Sequence, residues 1–225
     1  MISFPKIWEI FTSKFPVFMG GVGVTLELAA LTVIFGSLIG LIVAIFRRTR
    51  IWPLRILMNV YVAFIRGTPL LVQVLLIVYG LPQLGVKLPR MTMCVIALAV
   101  NSGAYMAELI RAGLQSVERG QVEAAESLGM SSAQTMLNII LPQAIKVTLP
   151  AMGNEFVAII KESSVLYAVG VYELTYQAYK LASVNYRYIE TLIVSALIYF
   201  VLTYLATKLL SLLERRMRRG DVKIA

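Results

Sequence analysis

Histidine is absent from the 225 residues, cysteine occurs once, at Cys94, and the one aspartate, Asp221, stands near the C-terminus. Those absences exclude zinc and haem sites built on histidine, Ser-His-Asp triads and paired aspartates, and one cysteine cannot close an intrachain disulfide. No G-x-x-x-x-G-K-[ST] phosphate loop occurs, so ATP hydrolysis would have to come from another chain. Charge is scarce too: 15% of residues are charged and 59% hydrophobic, with a mean hydropathy of +0.79. That balance belongs to a single polytopic membrane domain rather than to a water-soluble one. Cys94, within the apolar run Met93–Val100, reads as a buried small hydrophobe.

The formal charge of +9 does not point to nucleic acid, because the basic residues flank apolar runs instead of gathering with aromatic platforms on a soluble surface. A bilayer crossing takes about 20 mainly apolar helical residues. Five stretches approach that, roughly Val22–Phe46, Leu54–Tyr79, Met91–Ile110, Ile145–Val169 and Ile189–Leu213. The second contains Arg66-Gly67-Thr68-Pro69, where proline predicts a kink within one span. Lys6, Glu9 and Lys14 precede the first run without a small-residue cleavage site, so that span is expected to be retained rather than removed as a signal peptide.

Positive charge sets the orientation. Arg47, Arg48, Arg50 and Arg55 separate spans one and two, and Arg215, Arg216, Arg218, Arg219 and Lys223 follow span five. The connection with Lys87 and Arg90, and that with Glu173, Lys180 and Arg187, are poorer in positive charge. The expectation is an all-α membrane helix bundle of five transmembrane helices in a multi-pass cell-membrane protein, N-terminus outside and C-terminus cytoplasmic. Residues 1–19 then form an extracytoplasmic segment, 20–213 the transmembrane domain with a cytoplasmic loop at 113–144, and 214–225 a cytoplasmic tail.

That loop is too polar to cross and longer than a simple turn. Gln121–Leu128 has helical composition, Gly129 suits a left-handed C-terminal cap, and Ser131 with Gln134 spells a capping box for a second short helix. Pro142 predicts a bend before span four. Leu128, Met130, Met136, Leu137 and Ile140 give the pair an apolar face. Taken alone, such a unit is either a docking lever or a folded cap closing the bundle.

The spacing here resembles the permease subunits of bacterial ABC importers, in particular the polar amino-acid branch. Their coupling signature, E-A-A, three residues, G, nine residues, I-x-L-P, is met at Glu123-Ala124-Ala125, Gly129, Ile139 and Leu141-Pro142, seven positions over 20 residues. Further matches are Arg66-Gly67-Thr68-Pro69-Leu70-Leu71-Val72-Gln73, Asn101-Ser102-Gly103-Ala104-Tyr105 with Ala107-Glu108 and Arg111, and Gly153-Asn154-Glu155-Phe156 with Lys161-Glu162-Ser163-Ser164; Gly103 departs mildly from the usual phrasing. The resemblance implies a type I importer permease that is not itself an enzyme. It also implies that Glu123, Ala124, Ala125, Gly129, Leu141 and Pro142 couple the chain to separate ATP-binding cassette ATPase subunits. This chain would bind no cofactor, with ATP and Mg on the partner. A second permease chain, identical or homologous, and an extracytoplasmic solute-binding protein complete the implied assembly. A self-contained secondary transporter for a small polar solute is the alternative, but no internal repeat is visible.

Ionisable residues within spans are costly and face an interior or a cavity. Asn101, Tyr105 and Glu108 follow i, i+4, i+7 on span three, with Ser102 beside them; span four carries Asn154, Glu155, Lys161 and Glu162. Asn101, Ser102, Tyr105, Glu108, Asn154 and Glu155 are the candidate pocket for an amino-acid zwitterion, whose ammonium needs acceptors and whose carboxylate needs donors. Mutual neutralisation, Lys161 with Glu162 or Arg66 with Glu108, is the competing reading. Glu27 reads as a snorkelling or inter-helix residue. Tyr172, Tyr176, Tyr179 and Trp8 read as interfacial anchors, and Tyr172–Leu181 as a short outer helix and a candidate contact for the binding protein.

Overall fold

The computed structural model describes residues 3–218; Met1, Ile2 and residues 219–225, with Arg219, Asp221 and Lys223 of the expected tail, lie outside the described residues. The described chain is an all-α bundle. Its helices are α1 (Phe4–Ser13), α2 (Phe15–Arg47), α3 (Trp52–Gly67), α4 (Leu70–Gln83), α5 (Arg90–Gln115), α6 (Arg119–Ser127), α7 (Ser132–Thr135), α8 (Leu141–Glu162), α9 (Leu174–Asn185) and α10 (Tyr188–Arg218). A π-helical turn, Met136–Ile140, joins α7 to α8, and a 3-10 segment, Ser163–Val169, continues α8.

Among the described residues three helices, α2, α5 and α10, are long and apolar enough to cross a membrane. α3 and α4 pass together but are bent by 109°. The expected kink in span two is therefore a full break. Proline drives the residue before it into extended backbone, and Thr68 (φ −121°, ψ 149°) and Pro69 (φ −65°, ψ 135°) are both extended, so α3 ends and α4 starts afresh. α8 is not apolar enough to qualify on composition, since Lys146, Asn154, Glu155, Lys161 and Glu162 interrupt it.

α5 is the central helix, packed against α2, α3, α4 and α8. Cys94, Leu98, Ala104 and Met106 are buried on it, which agrees with the sequence reading of Cys94. Its most extensive partner is α2. In lipid the hydrophobic effect does not drive helices together, and small residues let backbones close in and gain dispersion contacts. Gly36 and Gly40 of α2 serve that purpose: a Cβ at Gly36 would lie 2.9 Å from Ser102 Oγ, and one at Gly40 would lie 2.5 Å from Met106 Cβ. α10 instead exposes Leu197, Phe200, Val201, Leu205, Leu209 and Leu212, a lipid-compatible face.

The α6–α7 unit has the capping chemistry its sequence predicts. Gly129 takes φ +82°. Its N–H bonds to Glu126 O (2.9 Å) and that of Met130 to Ala125 O (3.1 Å), the paired closure that uses up the orphan carbonyls of α6. Ser131 and Gln134 form the reciprocal capping box of α7. At Pro142, where a bend was expected, the backbone on the N-terminal side stays right-handed helical through Ile140 and Leu141. Pro142 sits in the first turn of α8, where a missing N–H costs little, and the π turn absorbs the misfit through Leu141 N–H to Met136 O.

Candidate functional site

The break between α3 and α4 leaves carbonyls at the end of α3 without helical partners. Gln73 meets that need from one turn into α4: its Nε2 donates to Ile65 O (2.8 Å), Thr68 O (3.1 Å) and Thr68 Oγ1 (2.8 Å). Its Oε1 accepts from Asn101 Nδ2 at 2.9 Å. Asn101, 5% exposed, thus fastens the broken helix to α5. Gln73 lay in a motif whose sequence assigned it no role; a glutamine one turn after proline in an apolar run was the available signal.

The other five expected pocket residues fall into two places. Ser102, buried on α5, donates to Glu155 Oε1 across the α5–α8 contact at 3.4 Å, and Asn154 is exposed beside it on α8. Glu155 is half-buried and forms no ion pair among the described residues. Tyr105 lies beneath the Arg66 guanidinium, 5.5 Å from ring centroid to Cζ. One turn further on, Glu108 accepts from Arg47 and binds Arg111 through both Nε (3.0 Å) and Nη2 (2.7 Å), with Arg66 Nη1 at 3.8 Å. The neutralising reading of Arg66 and Glu108 was too small: three guanidiniums converge on that carboxylate, and the two closer ones come from Arg47 and Arg111. Lys161, Glu162 and Glu27 are exposed.

The coupling candidates stand clear of the bundle. Glu123, with a side chain 67% exposed, pairs with Arg119 at 3.6 Å; Ala124 and Gly129 are exposed, and Ala125 is buried beneath them. Leu128 is 84% exposed at the elbow, and Leu141 and Pro142 are exposed at the start of α8.

At the other end of the bundle Glu173 caps α9. Fully buried, it accepts from Thr175 N (2.8 Å), Tyr176 N (2.6 Å) and Tyr199 Oη (2.8 Å). Burial raises its pKa, against those hydrogen bonds, which favour the charged form. Thr25 Oγ1 accepts from Leu174 N at 3.2 Å, so α2, α9 and α10 meet around this cap. In the sequence Glu173 was only a loop charge; its place just before a helical run was the overlooked sign.

Residues 36–219 match the family described as binding-protein-dependent transport system inner membrane component. The chain belongs to this family. A probable amino-acid permease protein, YxeN, of Bacillus subtilis is 41% identical over 94% of this chain and 96% of its own length. An arginine transport system permease protein, ArtQ, of the same organism is 34% identical over 92% and 95%. Among solved structures, the crystal structure of an amino acid ABC transporter with histidines superposes with a TM-score of 0.90 at 48% identity, covering 96% of this chain and 99% of that one. An inward-facing MetNI methionine ABC transporter, at 21% identity and a TM-score of 0.73, shares the fold. The match spans α2 to α10, so broken α3–α4, central α5 and protruding α6–α7 are parts of one transport-permease architecture.

Proposed function

We propose that this chain is the permease subunit of an ATP-driven importer that moves polar amino acids across the cell membrane by alternating access. The observation that carries the reading is the α6–Gly129–α7 lever, rigidly capped at both helix ends yet presenting Leu128 and Glu123 to solvent. Such a unit seats in a groove of a partner, the helix-in-groove mode of recognition. The partner is a separate ATPase that holds ATP and Mg. A second permease chain, identical or homologous, completes the path, and an extracytoplasmic solute-binding protein delivers the amino acid. The relatives' names, an amino-acid permease and an arginine transport permease, support that substrate class.

Gly129→Val tests the lever. A branched Cβ at φ +82° meets no neighbouring atom within 4 Å, so the cost is backbone strain alone, about 1–2 kcal/mol. The expected outcome is a chain that inserts and assembles but spends ATP with much less transport. Wild-type transport per ATP in reconstituted vesicles would sink the lever account.

Topology is tested separately. α8 and the broken α3–α4 pair each count as one crossing in this reading, giving five spans with the N-terminus outside. In a Cys94→Ala background, cysteines at Lys87 and Lys180 are expected to label from outside, and those at Arg50 and Ser132 only once the cytoplasmic face is opened. Outside labelling at Ser132 contradicts the arrangement.

A further inference from the structure

A cavity of about 360 Å³ opens between the end of α2, the middle of α3 and the end of α5, lined by Arg47, Arg48, Asn59, Arg111 and Gln115 with Ala44 and Leu114 as its apolar wall. Its charge is out of balance. Arg47, Arg66 and Arg111 share one carboxylate, Glu108, and the Arg48 guanidinium makes no ion pair or hydrogen bond among the described residues. Three neighbours hold the walls in place: Arg47 Nε donates to Asn59 Oδ1 (2.7 Å), Arg111 Nη1 to Gln115 Oε1 (2.6 Å), and Arg111 is bidentate on Glu108. The forks are thus oriented before any ligand arrives, while the Arg48 donors remain unspent.

Guanidinium forks on a preset frame match the oxygens of a phosphate, and a basic pocket between membrane helices at their charged end is where lipid headgroups are taken up. Near Ala44 on α2, Leu41 and Ile45 are 48% and 59% exposed, apolar surface suited to an acyl chain. We propose that this cavity binds a phosphate group, neutralised by Arg48 together with Arg47 and Arg111, whose source is either the headgroup of an anionic phospholipid or soluble phosphate. The site is separate from the Ser102–Glu155 contact and from the α6–α7 lever, and does not depend on which solute is carried.

The test uses the full-length chain in neutral detergent, titrated with dioctanoyl phosphatidylglycerol, with dioctanoylglycerol, and with inorganic phosphate, reading the midpoint of thermal unfolding. Phosphatidylglycerol is expected to raise the midpoint saturably and dioctanoylglycerol to leave it unchanged. An equal saturable response to inorganic phosphate assigns the source to soluble phosphate; a response to phosphatidylglycerol alone assigns it to lipid. Arg48→Gln, which breaks no ion pair or side-chain hydrogen bond among the described residues, is expected to keep the unliganded midpoint and to weaken the response about fivefold or more. Arg55→Gln removes the same charge outside the cavity lining and is expected to leave the response intact. No saturable response to either phosphate compound, or equal losses in the two variants, overturns the proposal.

Discussion

A Gly40→Val chain is expected to lose about 3 kcal/mol or more of stability and to fail to accumulate as folded protein. The added Cβ would stand 2.5 Å from Met106 Cβ, 3.0 Å from Ala107 N and 3.1 Å from Gly103 O. Two of those three atoms are backbone and the third is a Cβ of a fully buried residue, so no side-chain rotation clears the clash. The helices must separate instead. Separation takes Gly36 away from Ser102 and strips dispersion contacts along the most extensive helix pair in the chain, in a solvent that gives no hydrophobic return for the loss. Gly23→Val on the same helix is the control, because a Cβ there meets nothing within 4 Å. Thermal unfolding in detergent and membrane yield report the outcome; equal stability of the two variants would show that the α2–α5 approach does not hold the bundle together.

The parts legible in the sequence are those whose cause is local. Left-handed Gly129 and the Ser131–Gln134 capping box follow from backbone sterics and hydrogen-bond spacing within one turn, and the structure has both. Cys94 was readable as core because its neighbours are apolar on every side. Thr68-Pro69 announced a disturbance but not its size, because proline's local preference allows either a kink or a break; Gln73, held from another helix by Asn101, decides for the break by serving the carbonyls it frees. The polar stripe of α5 showed the same limit. Periodicity placed Asn101, Tyr105 and Glu108 on one face, yet the partners that give them their roles, Gln73, Arg66, Arg47 and Arg111, come from four helices. Gly36-x-x-x-Gly40 was a readable sign of close helix approach that composition and charge alone did not bring forward.

Glu155→Gln is expected to weaken coupling to substrate by roughly 2–5 kcal/mol while leaving the chain assembled. Of the two carboxylates proposed for a zwitterion's ammonium, Glu108 already has Arg47 and Arg111 bound to it, with Arg66 at 3.8 Å. An arriving cation would have to compete with three resident ones. Glu155 has a single long contact, 3.4 Å from Ser102, and no cationic partner among the described residues, at a depth where an unpaired carboxylate is costly. An ammonium supplied by the substrate would relieve that cost on each transport cycle, with exposed Asn154 alongside as a further hydrogen-bonding group. Glu108→Gln has the opposite signature: removing the negative hub leaves its arginines repelling one another, so stability and assembly should fall with substrate preference unchanged. The measurement is substrate-stimulated ATPase activity, with competition among amino acids, in assembled complexes of each variant. If Glu155→Gln retains both the concentration dependence and the preference of the unaltered chain, Glu155 is a packing residue, and discrimination between amino acids is made before they reach the membrane helices.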